Sequence, residues 1–230
     1  MSKQIVFVLS SHGQLGNSGL LTGNWLEELA TPYWRFRDKG YVLQFASPKG
    51  GKAPLDPESR KDNWLSESGR RFLADADAQS ALAATIPLSK IDAAQIDGIF
   101  LVGGAATTWD FPLNDDIKRI AEQLHDQSKV IAGICHGVVG LTRIADKYGE
   151  SLLKNRALTS ISNAEDTLMG IDKIVPILPE DMLRKARALY SAAPPLAEYV
   201  VCDAPFFTGQ NPTSADLLAR KVIDHLSKVA

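Results

Sequence analysis

Cysteine is scarce in this sequence, with only Cys135 and Cys202 among 230 residues. A chain of this length buries enough surface to need no covalent staple. One possible pair is far below the density of a disulfide scaffold, so both are expected to be reduced thiols in the cytoplasm. An excess of one charge sign is also missing. The 25 Lys+Arg stand against 27 Asp+Glu, a formal net charge of -2, which supplies no long-range field for a phosphate backbone or an anionic bilayer. Nucleic acid and membrane are therefore not expected partners. No apolar run approaches the ~20 residues that cross a bilayer. The run Ile5 to Leu9 has neither the length nor the small-residue cleavage site of a signal peptide. Zinc-type spacing of His, Cys, Asp and Glu is lacking, as is Gly-x-Gly-x-x-Gly after a strand. Lys49-Gly50-Gly51 lacks the order of a phosphate-binding loop, so no cofactor is expected.

What is present is ordinary globular usage, 45% hydrophobic and 23% charged. No repeat, low-complexity tract or linker divides residues 1–230, and one domain is expected. Short apolar runs at Ile5 to Leu9, Val42 to Ala46, Ile99 to Val102 and Val130 to Ile134 read as strands covered on both faces. Helical spacing appears over Leu26 to Lys39, Ile117 to Gln127 and Ser214 to Lys228. This alternation predicts right-handed βαβ units and a mostly parallel sheet. Asn211 is placed to cap the last helix and Pro212 fits its first position, with Leu218, Val222 and Leu226 as the buried stripe. Residues 47–57 carry too much Pro and Gly for a regular element and read as a structured loop. It follows the second strand, and ligands of open α/β sheets bind outside carboxyl ends of strands.

Chemistry concentrates in Lys129-Val130-Ile131-Ala132-Gly133-Ile134-Cys135-His136-Gly137. A buried strand running into Gly-x-Cys-His-Gly and then a helical pattern is a nucleophile elbow with sulfur in place of the serine oxygen. Gly133 and Gly137 are expected where a side chain would clash. Backbone N–H groups after the turn favour a thiolate and can hold an oxyanion. The bland alternative is a buried structural cysteine. Leu101-Val102-Gly103-Gly104 ends another strand, so Gly103 and Gly104 can present the opposite half of an oxyanion hole together with His136, or form a plain turn. Cys202 reads as a strand-core residue. Trp25, Trp64 and Trp109 fit either a pocket wall or the core.

These segments, with Thr22-Gly23, Glu28, Pro32-Tyr33, Ser47-Pro48-Lys49-Gly50-Gly51, Leu55-Asp56-Pro57-Glu58-Ser59 and Thr208-Gly209-Gln210-Asn211-Pro212, resemble the ThiJ/PfpI superfamily in order and spacing. That is the group of the Parkinson's-disease protein deglycase, within the class I glutamine amidotransferase-like proteins. More narrowly, the sequence is similar to the branch of stress chaperones and glutathione-independent glyoxalases (glyoxalase III). The resemblance implies a flavodoxin-like three-layer α/β/α sandwich and a homodimer. It also implies a catalytic Cys135 with a carboxylate from an early helix beside its sulfur. Glu28 falls at that position, with Glu27 as competitor. A Cys-His-acid set completed from Ser162-Asn163-Ala164-Glu165-Asp166 is also implied, with Glu165 preferred over Asp166. Relatives often carry a histidine after the paired glycines, where this chain has Ala105. His12 can compensate from the neighbouring loop or simply make a local hydrogen bond. The expected activity is conversion of a small carbonyl substrate, a 2-oxoaldehyde such as methylglyoxal, to the 2-hydroxy acid. A cysteine hydrolase, or a holdase chaperone read out by oxidation of Cys135, are the alternatives.

Overall fold

The structure is a computed structural model that describes residues 2–228. Among the described residues, nine strands run in chain order as β1 (Gln4–Val8), β2 (Val42–Ser47), β3 (Ile86–Pro87), β4 (Gly98–Leu101), β5 (Val130–Ile134), β6 (Ala157–Leu158), β7 (Leu189–Tyr190), β8 (Val200–Asp203) and β9 (Phe206–Gly209). The helices are α1 (Leu26–Asp38), α2 (Glu67–Ala74), α3 (Ala76–Ala83), α4 (Thr107–Asp110), α5 (Asp115–Asp126), α6 (Asn163–Leu168), α7 (Pro179–Lys185) and α8 (Ala215–Lys228). Seven strands form one sheet in the order β3-β2-β1-β4-β5-β9-β8, and β6 and β7 make a small parallel pair. Of the strands in the large sheet, β8 alone, paired with β9, runs antiparallel.

Period-two alternation divides the core between the two faces. From β1 and the residue after it, Ile5, Phe7 and Leu9 pack with Leu29 and Phe36 of α1 and with Leu218 and Val222 of α8. Val6 and Val8 face Ile120 and Leu124 of α5 instead. Strand register stacks Phe7 between Phe45 and Phe100, at ring separations of 5.7 and 5.2 Å. Helices thus cover both faces of a mostly parallel sheet, as expected of a flavodoxin-like sandwich. No helix among the described residues is long and apolar enough to cross a membrane.

Connections from β1 go to β2 on one side, while the chain later adds β4 on the other. The crevice at the carboxyl ends of β1 and β4 is therefore a topological switch point. Loops after β1, β4 and β5 converge there, which brings the paired glycines next to the elbow.

Several expectations need correction. Cys202 is exposed on the antiparallel edge strand rather than in the core. The stretch after β5 is a 3-10 helix over Cys135–Leu141, not an α-helix. Pro212 opens a 3-10 turn that leads into α8, but the Asn211 side chain makes no capping bond to the backbone. Its carbonyl accepts from the Ser214 hydroxyl at 2.8 Å, and its amide donates to Glu165 at 2.8 Å.

Candidate active site

The elbow follows directly from backbone sterics. Ile134 is extended at φ -134, and Cys135 swings to φ +56, a left-handed conformation costing a side-chain-bearing residue roughly 1–3 kcal/mol. That turn points Sγ away from the sheet toward the crevice. A Cβ on Gly137 would lie 2.6 Å from the Leu101 carbonyl oxygen and 2.7 Å from that of Val102. Only glycine lets the chain leave the elbow so close to β4. Gly133 is under less pressure, its nearest neighbour being Val138 Cγ2 at 3.3 Å.

Glu28 reaches the sulfur from the first turn of α1. Trp25 N–H, at the start of that helix, donates to the Gly103 carbonyl at 3.0 Å and fixes the helix against the paired glycines. Pro32, four residues on, has no N–H to return to the Glu28 carbonyl. The Glu28 side chain is wholly buried, and neither oxygen forms a well-aligned hydrogen bond. It lies against the Cys135 thiol and the Gly103 N–H, and burial pushes its carboxyl from 4.5 up to about 8. Glu27, its neighbour in sequence, turns to another face and accepts from Thr31 and Ser66 hydroxyls.

Burial, reinforced by the charge of Glu28, drives the Cys135 thiol well above the ordinary range. The expectation of a resting thiolate is therefore corrected. Desolvation outweighs the N–H of His136, which lowers the thiol. The two groups are coupled, so the pair carries its protons at neutral pH and gives up one as pH rises.

A second base faces the same sulfur. His136 Nδ1 lies 3.3 Å from Sγ and Nε2 lies 2.8 Å from Asp166 Oδ1. A carboxylate only accepts, so Nε2 carries the proton and Nδ1 offers its lone pair to the thiol. The carboxylate on His136 is thus Asp166, and the choice of Glu165 is corrected. Glu165 occupies the third position of α6 and folds back on Ser162 in a capping box. The next residue along the helix is rotated to the other face and meets the imidazole. The pattern Ser162-Asn163-Ala164-Glu165 is itself legible as a capping box, and that signal separates the two carboxylates.

Glu165 nevertheless holds much of the local structure together. Its oxygens accept from Ser162 N and Oγ, Gln210 Nε2, Leu196 N and Asn211 Nδ2 at 2.8–3.0 Å. These bonds clamp the loops that carry Leu196 and Pro212 into the wall of the site. Glu165→Gln turns one acceptor into a donor that faces other donors. We expect a loss of about 1–3 kcal/mol in urea denaturation, and unchanged stability would sever this clamp from the fold.

Above Sγ opens a cavity of about 790 Å³, lined by Cys135, His136, Glu28, Gly104 and Ala105 at its floor and by Trp25 and Trp64 on one side. Gly104 sits at φ +115, where a Cβ would collide with the Gly23 carbonyl and lie 2.8 Å from Trp25 N. Its N–H finds no acceptor among the described residues and is free for a substrate oxygen. Gly103 does not line the cavity, which corrects its assignment to substrate. A Cβ there would strike Glu28 Oε2 and lie 2.8 Å from Cys135 Cβ, so its bareness allows thiol and carboxyl to meet. His12 stacks on Trp109 at 4.9 Å and bonds the Gln14 carbonyl. Both rings lie outside the cavity wall, so His12 does not replace the histidine absent at Ala105. No group of three or more His, Cys, Asp or Glu able to hold a metal occurs among the described residues.

The family model described as the DJ-1/PfpI family matches residues 23–225. The glutathione-independent glyoxalase HSP31 of Saccharomyces cerevisiae is 28% identical, the match covering 97% of this chain and 98% of that protein. Among solved structures, the Rapid Encystment Protein 24 kDa of Francisella tularensis superposes with a TM-score of 0.92 at 34% identity, covering 96% of this chain and 97% of that one. Glyoxalase III of Candida albicans gives a TM-score of 0.90 at 26% identity over 96% of each chain.

Proposed function

We propose that this chain, which belongs to the DJ-1/PfpI family, is a glutathione-independent glyoxalase that converts a 2-oxoaldehyde to the 2-hydroxy acid without a cofactor. The observation that carries the reading is the buried Glu28 carboxyl against the Cys135 thiol, with its pKa at about 8. Relatives over nearly the full chain bear the name glutathione-independent glyoxalase.

In the pair that has given up one proton, Cys135 Sγ attacks the aldehyde carbon as the thiol proton passes to the Glu28 carboxylate and on to the carbonyl oxygen, giving a hemithioacetal whose oxygen is met by the N–H groups of Gly104 and His136. Glu28, again a carboxylate, then removes the hydrogen on that carbon and returns it to the adjacent carbonyl carbon, while the hemithioacetal hydroxyl proton moves to the second oxygen. The enediol-like passage oxidises the first carbon and reduces the second, so no external electron carrier enters. The product is a thioester of the 2-hydroxy acid. His136, held by Asp166, takes a proton from water as it attacks the thioester, and the thiol leaves with a proton. Asp166 acts through the imidazole as a positioning residue.

The direct test is methylglyoxal consumption in the absence of glutathione with lactate quantified. Stoichiometric lactate is the expected outcome, and consumption without lactate would overturn the isomerisation. The Cys135–His136–Asp166 arrangement favours a second reading, hydrolysis of esters or amides through an acyl-thioenzyme. It predicts a stoichiometric burst from an activated ester with no lactate from methylglyoxal. The protein is further proposed to be a cytoplasmic homodimer, which light scattering would check for assembly.

A further inference from the structure

The substituent that the cavity accepts goes beyond this reading and rests on it. A cavity of about 790 Å³ is in the range that encloses drug-sized ligands. A three-carbon oxoaldehyde fills only on the order of 150 Å³ at the density of a liquid. The polar groups converge on the floor, at Cys135, Glu28, His136 and Gly104, where the two carbonyl carbons react. Above that floor the wall is Leu21, Trp25, Trp64, Ile161, Ile171 and Ile174.

The mouth carries the same character. Leu20 and Leu21 are 61% and 60% exposed, and Met169 and Leu196 also stand open to solvent while lining the cavity. Leu21 is bridged antiparallel to Gln14, and Leu15 N–H donates to the Leu20 carbonyl at 2.9 Å, so the two leucines are held in place by backbone pairing. Exposed leucines in such a concave patch are the signature of a surface that a ligand covers. Ala105 adds no polar atom where it faces the space.

Charge narrows the class further. Lys61 is the lysine of the wall, and Glu58 Oε2 sits 2.6 Å from its Nζ. Asp56, also in the wall, accepts from the Thr22 hydroxyl at 2.8 Å. Among the described residues, no unpaired cation therefore lines the upper cavity to receive an anionic group, and the Asp56 carboxylate stands there to repel one.

We infer that the site selects 2-oxoaldehydes bearing a long, neutral, apolar substituent over methylglyoxal and over substrates that end in a carboxylate. The test compares kcat/KM for methylglyoxal, 2-oxooctanal and the analogue of 2-oxooctanal that ends in a carboxylate, with each 2-hydroxy acid quantified. The added methylenes should raise kcat/KM by roughly 30-fold or more, mainly through KM, and the terminal carboxylate should return most of that gain. Leu21→Asp, at an exposed position, should cut the preference for 2-oxooctanal over methylglyoxal by about tenfold. Conversion of methylglyoxal with no preference for 2-oxooctanal, or with the carboxylate tolerated, overturns the inference and leaves the glyoxalase reading standing. Failure to convert any of the three removes that reading and the inference with it.

Discussion

Cys135→Ala should abolish formation of lactate from methylglyoxal while the protein keeps its fold. Without sulfur there is no hemithioacetal, and among the described residues no other nucleophile lines the floor of the cavity beside Glu28 and His136. The loss should therefore reach the assay background, beyond the 10²–10⁴-fold expected from removing only a general acid–base group. Folding is expected to survive because the side chain fills little core volume and alanine meets the same backbone demand at φ +56. The melting temperature should move by only a few degrees, which differential scanning calorimetry would record. Burial holds the thiol protonated, so alkylation of the wild type should be slow at neutral pH and quicken in more alkaline buffer. Rapid labelling at pH 6 would contradict the buried pair. A holdase chaperone makes the opposite forecast for this variant, because suppression of client aggregation would outlast loss of the sulfur.

How far the sequence leads is clear at particular residues. The buried strands announce themselves as apolar runs, since β5 is found at Val130–Ile134 as read, β1 and β4 lie one residue earlier at both ends, and β2 runs one residue further. Buried parallel strands need continuous apolar runs, and few other elements of this length produce them. β9 is harder to see, because Phe206–Gly209 is short and ends in glycine. The edge position of β8 is invisible in Val200–Asp203 for a similar reason: alternation of Val, Val, Cys and Asp does not say which side lacks a neighbour. Cys202 therefore reads as part of a core it does not join.

The elbow is legible because its glycines are forced by contacts between backbones, most directly at Gly137. Glu28 is legible only through its place in a family pattern, since helical periodicity alone cannot choose between it and Glu27. The carboxylate on His136 is not legible from spacing to the elbow, because the long intervening chain decides which face of α6 turns inward. Competition inside one helical turn settles it, with Glu165 capturing the capping box and Asp166 left to face the imidazole. Protonation escapes the sequence for a different reason. Motif logic counts N–H groups near a sulfur, whereas the sign of the shift is set by how much water the whole fold removes.

That same desolvation makes Glu28→Gln the variant of largest diagnostic value. The amide is isosteric but cannot take the thiol proton or carry hydrogen between the two substrate carbons. A fall in kcat of roughly 10²–10⁴-fold is expected. In the wild type kcat/KM should rise with pH as the coupled pair loses one proton at about pH 8, and this limb should vanish in the variant. Stability should move in the other direction. The Glu28 carboxyl is raised from 4.5 to about 8 by burial, so the folded state holds a proton that the unfolded chain has released. Its contribution is fully present below pH 4.5 and is lost as pH rises through about 8. A wholly buried group with that shift accounts for a loss on the order of 3 kcal/mol by pH 7. The amide introduced by Glu28→Gln does not titrate, so the variant and the wild type should melt together at about pH 4.5. The variant should then become progressively more stable than the wild type toward about pH 8. A Glu28 that served packing alone, ionised and solvated, would give a flat difference between the two melting curves across that range, and turnover that survives the substitution. Loss of catalysis together with a pH-dependent gain in stability is the result that a buried, proton-carrying carboxyl requires.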